Sequence, residues 1–284
     1  MTFIVLGLLA MLSTTQRAFR GSLNQTDVQE AGRLATEMIT RELEQMTPSD
    51  VGPAKNFMVE LETNFNTAMF EGMPGTQGAS AGVQGLRTNV VQRFFFLSQN
   101  NLAWSGIGYR VWPDNAGAFG GMVGTLYRYS SNTLRSGVSF LSTNFLNAPR
   151  SSESKIADGV VHLRLRPFAT NGFPIVPSRA FGIPSQATFL VPPNGYPLMP
   201  NAYWALPLAA PNFSYEGNCY FITNAVPAYL ELELGILEPT VVDRYRSLSG
   251  NTAAQAAYLS NHVAQVHIFR QRIAVPNVDF NAYR

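Results

Sequence analysis

Three histidines, one cysteine and two closely spaced glutamates are the residues of this 284-residue chain best suited to chemistry. Metal sites draw their ligands at recurring short spacings. His162, His262 and His267 form no HxxxH or HExxH pattern, and Cys219, the only cysteine, has no partner for a CxxC pair or a disulfide. A lone cysteine behaves as a small buried hydrophobe. His262 and His267 straddle an expected helix-to-strand junction and read as surface or core residues. Glu231 and Glu233 share one face of an expected strand. Paired-carboxylate catalysis also requires a cleft and a raised pKa on one partner, and the surrounding residues supply neither. Gly117, Gly120, Gly121 and Gly124 lack the strand–turn–helix context and trailing acidic residue of a dinucleotide site. Neither a GxSxG elbow nor a P-loop occurs. The reading is a non-enzyme with no catalytic residue, no metal site and no cofactor. Asn24 and Asn212 open N-glycosylation patterns, which matter only in a glycosylating host.

The elements follow from periodicity. Val28, Ala31, Leu34, Ala35, Met38, Ile39, Leu43 and Met46 recur at spacings of three and four, which predicts a helix through residues 1–47. Pro48 ends it. Gly21 and Gly32 inside that helix either permit close packing or are simply tolerated. Residues 48–284 read as a β-rich head with strands at 56–62, 91–98, 106–112, 124–130, 159–168, 228–237 and 266–275. Two short helices are expected at 239–248 and 252–265. Leu163 and Leu165 alternate with His162, Arg164 and Arg166, and Leu230, Leu232 and Leu234 alternate with Glu231 and Glu233. Alternation of this kind predicts antiparallel strands covered on one side, with exposed Arg–Glu pairs worth little individually. The glycine-rich stretch 71–85 reads as a surface excursion. The proline-rich stretch 166–213 reads as an irregular lobe packed by its own aromatics.

Composition narrows the class. With 46% apolar and 13% charged residues, the surface must be rich in Asn, Ser, Thr, Gly and Gln, as in a loop-rich β protein outside the cell. A net charge of +2 argues against a nucleic-acid partner, for which a strong basic excess is expected.

The chain opens on an almost unbroken apolar run, Met1 to Leu12, and turns polar at Ser13. It lacks the charged n-region and cleavage site of a secretory signal, and it is shorter than the roughly 20 residues of a membrane span. This opening, Met1-Thr2-Phe3-Ile4-Val5, resembles the mature N-terminus of type IV pilin-like proteins, with Thr2 at the usual threonine or serine position. "QTDVQEAGRLATEMITRELEQM", "IADGVVHLRLRPF", "VPAYLELELGILEP" and "HIFRQRIAVPNVD" look like the helix and head strands of PilW-like minor pilins and J-type minor pseudopilins. The resemblance covers the helix and three head strands, and leaves 166–213 without a counterpart.

The resemblance implies an α+β architecture, a long apolar N-terminal stem leading into a mainly antiparallel head. It implies a processed, methylated Met1 and a filament core of Phe3, Ile4, Val5, Leu6, Leu8, Leu9, Met11 and Leu12. The implied function is that of a structural subunit of an extracellular, pilus-like filament at the cell surface. Implied partners are identical subunits in a helical filament, the inner membrane before assembly, prepilin peptidase and the assembly machinery. Val5 departs from the family's glutamate, which pairs with a neighbour's terminal amine. Neutral groups such as Thr2, Ser13, Thr14, Thr15 or carbonyls near Gly7 are its nearest substitutes. Two alternatives stand beside this reading: a minor pseudopilin of a type II secretion pseudopilus, and a surface-anchored carbohydrate-binding β module using Trp104, Trp112, Tyr196 and Trp204 as exposed aromatics. Maturation by prepilin peptidase predicts a short basic leader ending in glycine just upstream of Met1 in the gene, and a methylated Met1 amine. Intact mass and N-terminal sequencing of the native protein check both. A formyl-methionine start without that upstream frame would refute maturation.

Overall fold

The computed structural model describes residues 2–52, 54–62, 73–74, 86–87, 89–114, 121–172, 175, 188–189, 202–205 and 218–283. Strands appear where apolar and β-branched residues cluster between turn signals. They are β1 (Lys55–Leu61), β2 (Met73–Pro74), β3 (Leu86–Arg87), β4 (Gln92–Asn100), β5 (Ala103–Pro113), β6 (Gly124–Thr133), β7 (Ser154–Phe168), β8 (Thr188–Phe189), β9 (Ala202–Ala205), β10 (Asn218–Ile222), β11 (Tyr229–Leu237) and β12 (Val266–Ala274). Ten of them form one sheet in the order β12-β11-β7-β6-β5-β4-β1-β10-β9-β8, while β2 and β3 pair separately. Every pairing between neighbours in the large sheet is antiparallel. The helices are α1 (Thr2–Leu43), α2 (Val138–Asn147), α3 (Pro239–Ser247) and α4 (Thr252–Asn261).

The sheet is curled, and β7 shows why. Its first half pairs with β6 through two irregularities, and that pairing ends at Val160. The second half of β7 is then free on that side. Residues 89–92 take the vacant edge: Val91 bridges Leu163 in parallel, and the Leu163 N–H donates to the Val90 carbonyl at 2.9 Å. The Leu165 N–H donates to Gln92 Oε1 at 2.7 Å.

Inside the curl lies the second half of α1. Val28, Ala35, Ile39 and Leu43, with Met46 just beyond the helix, share one buried cluster with Phe94, Phe96, Tyr109, Leu163, Leu165, Leu230, Leu232 and Leu234. Gly32 is fixed by closeness of approach, because a Cβ there would sit 2.0 Å from the Phe269 ring on β12. The last turn is anchored by charge. Glu42 accepts from the Tyr109 hydroxyl at 2.5 Å and from Arg128 Nε at 2.9 Å. Burial, then the Glu42 carboxylate, push the Tyr109 phenol well above its ordinary range.

The outer face needs its own cover, since β4 turns Phe95 and Leu97 away from α1. Helix α2 supplies Val138, Leu141 and Phe145 against these residues, Met58, Trp104 and Tyr129. Helices α3 and α4 bring Val241, Val242, Tyr245 and Leu259 over Val161 and Leu237.

This arrangement overturns the expected α+β class with its apolar stem. The protein is mainly one curled antiparallel sheet, and its helices other than α1 have ten residues or fewer. The part of α1 built into the fold is the short stretch 25–43. No helix among the described residues is long and apolar enough to cross a membrane. The reason lies at Leu12, where the apolar run gives way to Ser13, Thr14, Thr15 and Gln16, all exposed.

The charged faces of β7 and β11 also depart from expectation. His162, Arg164 and Glu233 are buried rather than solvated, because residues 89–92 close over β7. The proline-rich stretch contributes the edge strand β8 and its inner neighbour β9, which pairs on both sides. The remainder of it, and most of 71–85, lies outside the described residues. Sequence periodicity did not reveal β10 or α2. Gly108 on β5 is packed closely under α2: a Cβ there would lie 2.5 Å from the Phe145 ring. Gly108→Ala should cost about 1–3 kcal/mol through overpacking, measured as a lower urea midpoint with an unchanged slope.

Candidate functional site

A pocket of about 240 Å³ opens between α1, Asp158 and Gly159 of β7, the end of β11 and α3. Its apolar wall includes Val28, Ile236, Leu237 and Val242, and its polar groups are Asp27, Asp158, Asp243 and Arg246. Gly159 adopts φ +70° at an irregularity in the pairing of β7 with β6, and a Cβ there would lie 2.8 Å from Val242 Cγ2, so this point of the strand requires glycine.

Arg246 organises this corner. It binds Asp158 at 2.6 Å and Asp114 at 2.9 Å. Asp158 also accepts from Thr125 at 2.9 Å and from Lys155 at 3.1 Å. Burial pushes the Asp158 carboxyl up. The hydrogen bonds from Arg246, Thr125 and Lys155 outweigh burial and hold it well below the usual carboxylate range. Asp114 has fewer donors, so burial prevails over Arg246 and its carboxyl is raised. One guanidinium thus clamps two carboxylates shifted in opposite directions, and ties Asp114 and Asp158 to α3.

Two further charged clusters lie in the sheet. On the face under α2, Arg93 binds Glu60 at 2.6 Å and lies 3.8 Å from Glu62. Arg110 binds Glu153 at 2.8 Å and donates to the Phe145 carbonyl. Trp112 Nε1 donates to Glu153 at 2.6 Å. Burial raises the pKa of both Glu62 and Glu153, against the opposing pull of Arg93 on the first and of the Trp112 hydrogen bond on the second. A raised carboxyl in a cleft suggests a general acid. Here each carboxylate is committed to a cation, so the cluster binds strand to strand.

The second cluster joins β7, β11 and β12. His162 Nδ1 accepts from the Val90 N–H at 3.0 Å, which leaves Nε2 to face Glu233 at 3.3 Å. Glu233 also binds Arg270 at 2.5 Å. The carboxylates read from sequence as a possible pair therefore serve as cross-strand partners. Cys219 is buried on β10, and burial pushes its thiol up, away from the reactive thiolate. Among the described residues no group of three or more His, Cys, Asp or Glu could hold a metal ion.

The expected filament residues fall in α1. Met1 lies outside the described residues. Phe3, Ile4, Val5, Leu6, Leu8 and Leu9 belong to the helix by their backbone, and their side chains lie outside the description. Met11 is 73% exposed, Leu12 55% and Phe19 65%. Gln25, Thr26 and Asp27 are exposed as well, and Val28 is buried. Of the aromatics named for the carbohydrate-binding alternative, two have described side chains. Trp104 is buried against Leu97 and Tyr129, and Trp112 is engaged by Glu153. The side chains of Tyr196 and Trp204 lie outside the description.

Glu42, Arg110 and the Arg246 clamp escaped the sequence reading because their partners lie far away in the chain. The available signal was a charge inside an apolar run, as at Arg93 before Phe94 and Arg110 between Tyr109 and Val111. In comparisons with known proteins, the chain matches no family model, no curated protein and no solved structure.

Arg246→Ala should lower unfolding free energy by about 1–2 kcal/mol at pH 7. Because the Asp158 pKa is depressed on folding, its stabilisation is present above the unfolded value near about 4 and fades below it. The deficit should therefore narrow at pH 3. Urea titrations at both pH values check this, and an equal deficit at both would exclude the clamp as its cause.

Proposed function

We propose that this chain is a non-enzymatic structural subunit of an extracellular, type IV pilus-like filament. The observation that carries the reading is the exposure of Met11, Leu12 and Phe19 on a part of α1 that precedes its buried portion. Apolar side chains in that number on one short stretch mark a surface meant to be covered. Covering them in an interface contributes about 25 cal/mol per Å² of apolar area. Identical subunits are the proposed partners, each burying this stretch against its neighbours. Prepilin peptidase, the inner membrane and the assembly machinery are proposed to act before the filament forms.

The charged clusters support the same reading. Their carboxylates are engaged by arginines that tie strands together, which suits a subunit that must stay rigid under load. The resemblance of the opening residues and three head strands to pilin-like proteins supports it from sequence.

Leu12→Asp and Phe19→Asp place a carboxylate where the interface would be desolvated, which costs several kcal/mol when unpaired. Each should abolish filaments in electron micrographs of the native protein and leave the monomer's thermal midpoint within about 1–2 °C, as expected of exposed positions. Wild-type filament yield with both substitutions would overturn the proposal.

A further inference from the structure

Strand β12 ends the large sheet, and its outer backbone edge has no strand partner among the described residues. Its register with β11 runs without a break from Val266 opposite Leu237 to Ala274 opposite Tyr229. The Val275 N–H donates to the Ala228 carbonyl and the Gln265 carbonyl accepts from the Glu238 N–H. Odd-numbered residues therefore direct their backbone groups toward β11. In an antiparallel ladder the intervening residues direct theirs the other way. Val266, Ile268, Arg270, Arg272 and Ala274 thus present N–H and C=O groups to the open edge. Long regular edges are templates for an added strand unless they are short, bulged or covered. This one spans nine residues without a bulge.

The side chains along the edge define what it fits. Arg270 and Arg272 are exposed on the face that also carries Arg164, Arg166, Glu231 and Glu233. Four guanidinium groups there meet two carboxylates. Glu233 engages Arg270 at 2.5 Å, whereas the Arg272 guanidinium lies over the rings of Phe168 at 5.4 Å and Tyr229 at 5.1 Å. A second copy of β12 is a poor occupant. Antiparallel self-pairing with full overlap would set Arg270 against its own copy or against Arg272, and like charges directly opposite destabilise a strand pair.

We propose that the open edge of β12 takes one extended strand from an acidic protein partner, with carboxylates two residues apart set beside Arg270 and Arg272. The strand would repeat on the outer side what β11 does on the inner side, where Glu231 and Glu233 lie opposite Arg272 and Arg270. Backbone pairing provides the affinity, and the alternating carboxylates provide the selection. This inference stands apart from the filament reading, because it uses the edge of the sheet and no part of α1.

The test uses the full chain and a fluorescent peptide with Glu at alternate positions flanked by Val and Thr, with a Lys-for-Glu peptide as control. Anisotropy titration should show the Glu peptide binding at least about tenfold more tightly than the Lys peptide, with affinity falling as salt rises. Ile268→Pro removes a donor that faces the open edge and spares the ladder to β11. It should weaken binding by about tenfold or more with an unchanged circular dichroism spectrum. Arg272→Glu, at an exposed side chain, should reverse the preference between the peptides and serves if Ile268→Pro fails to fold. Equal binding of both peptides, binding of neither at millimolar concentration, or affinity unmoved by Arg272→Glu would overturn the proposal. A dimer in sedimentation that Arg272→Glu strengthens would also overturn it, by assigning the edge to a second copy.

Discussion

The change of partner along β7 is the constraint on which the rest of this protein depends. Fifteen residues of one strand cannot keep a single neighbour on one side once two irregularities have turned β6 away. The backbone donors past Val160 still require acceptors, since a buried unpaired amide costs about 1–3 kcal/mol. Residues 89–92 answer that requirement and draw the start of β4 against the middle of β7. A ten-stranded sheet thereby folds over on itself and encloses a helix, instead of lying open with a helix on one face. The enclosed volume is what allows Val28, Ile39 and Leu43 to meet side chains from β4 and β11 in one cluster.

The same closure changes the meaning of the charges on the strands. An Arg–Glu ladder on an open sheet face is screened by water and contributes little. When residues 89–92 lie along it, Glu233 and His162 lose that water, and each must be satisfied by protein. His162 does so with both ring nitrogens, one toward a backbone amide and one toward a carboxylate. Removing one partner from such a site leaves a buried charge uncompensated, which is far costlier than the pair is stabilising. These residues therefore specify the register of β7 against β11 more than they add to stability.

Much of the strand layout was legible because it rests on local pattern. The runs around Phe95, Tyr109, Leu163, Leu232 and Phe269 alternate or cluster strongly enough to declare strands. What could not be read was which faces would be covered. Leu163 and Arg164 show the same alternation whether the arginine meets water or a second layer, and the layer here comes from residues 72 or more positions away. The helical pattern from Val28 to Met46 was legible for the same local reason. The apolar opening misled, because an uninterrupted run to Leu12 invites the idea of a stem, whereas the hydroxyl-rich residues after it decide the outcome. In the candidate site, the dipeptide Asp158-Gly159 suggests a turn, but the pair lies inside β7, where the register with β6 shifts and Gly159 takes φ +70°. Arg246 as the organiser of this corner was not legible, since its contact with Asp158 crosses 88 positions.

The placement of α1 at one end of the chain and of its cover at the other sets the order in which this protein can fold. The helix is made first, yet the strands that close over it, β11 and β12, are made last, and Phe269 meets Gly32 across most of the sequence. Likewise β1 sits between β4 and β10, so its second edge waits for residue 218. Pairings of such long sequence separation raise the entropy cost of the transition state and slow folding. During synthesis the apolar side of α1 meets β4, β5 and β7 first and lacks the rest of its native cover until β11 and β12 have emerged. A nascent chain so exposed is prone to aggregate during that interval, and loss of β11 and β12 would leave one side of the helix uncovered.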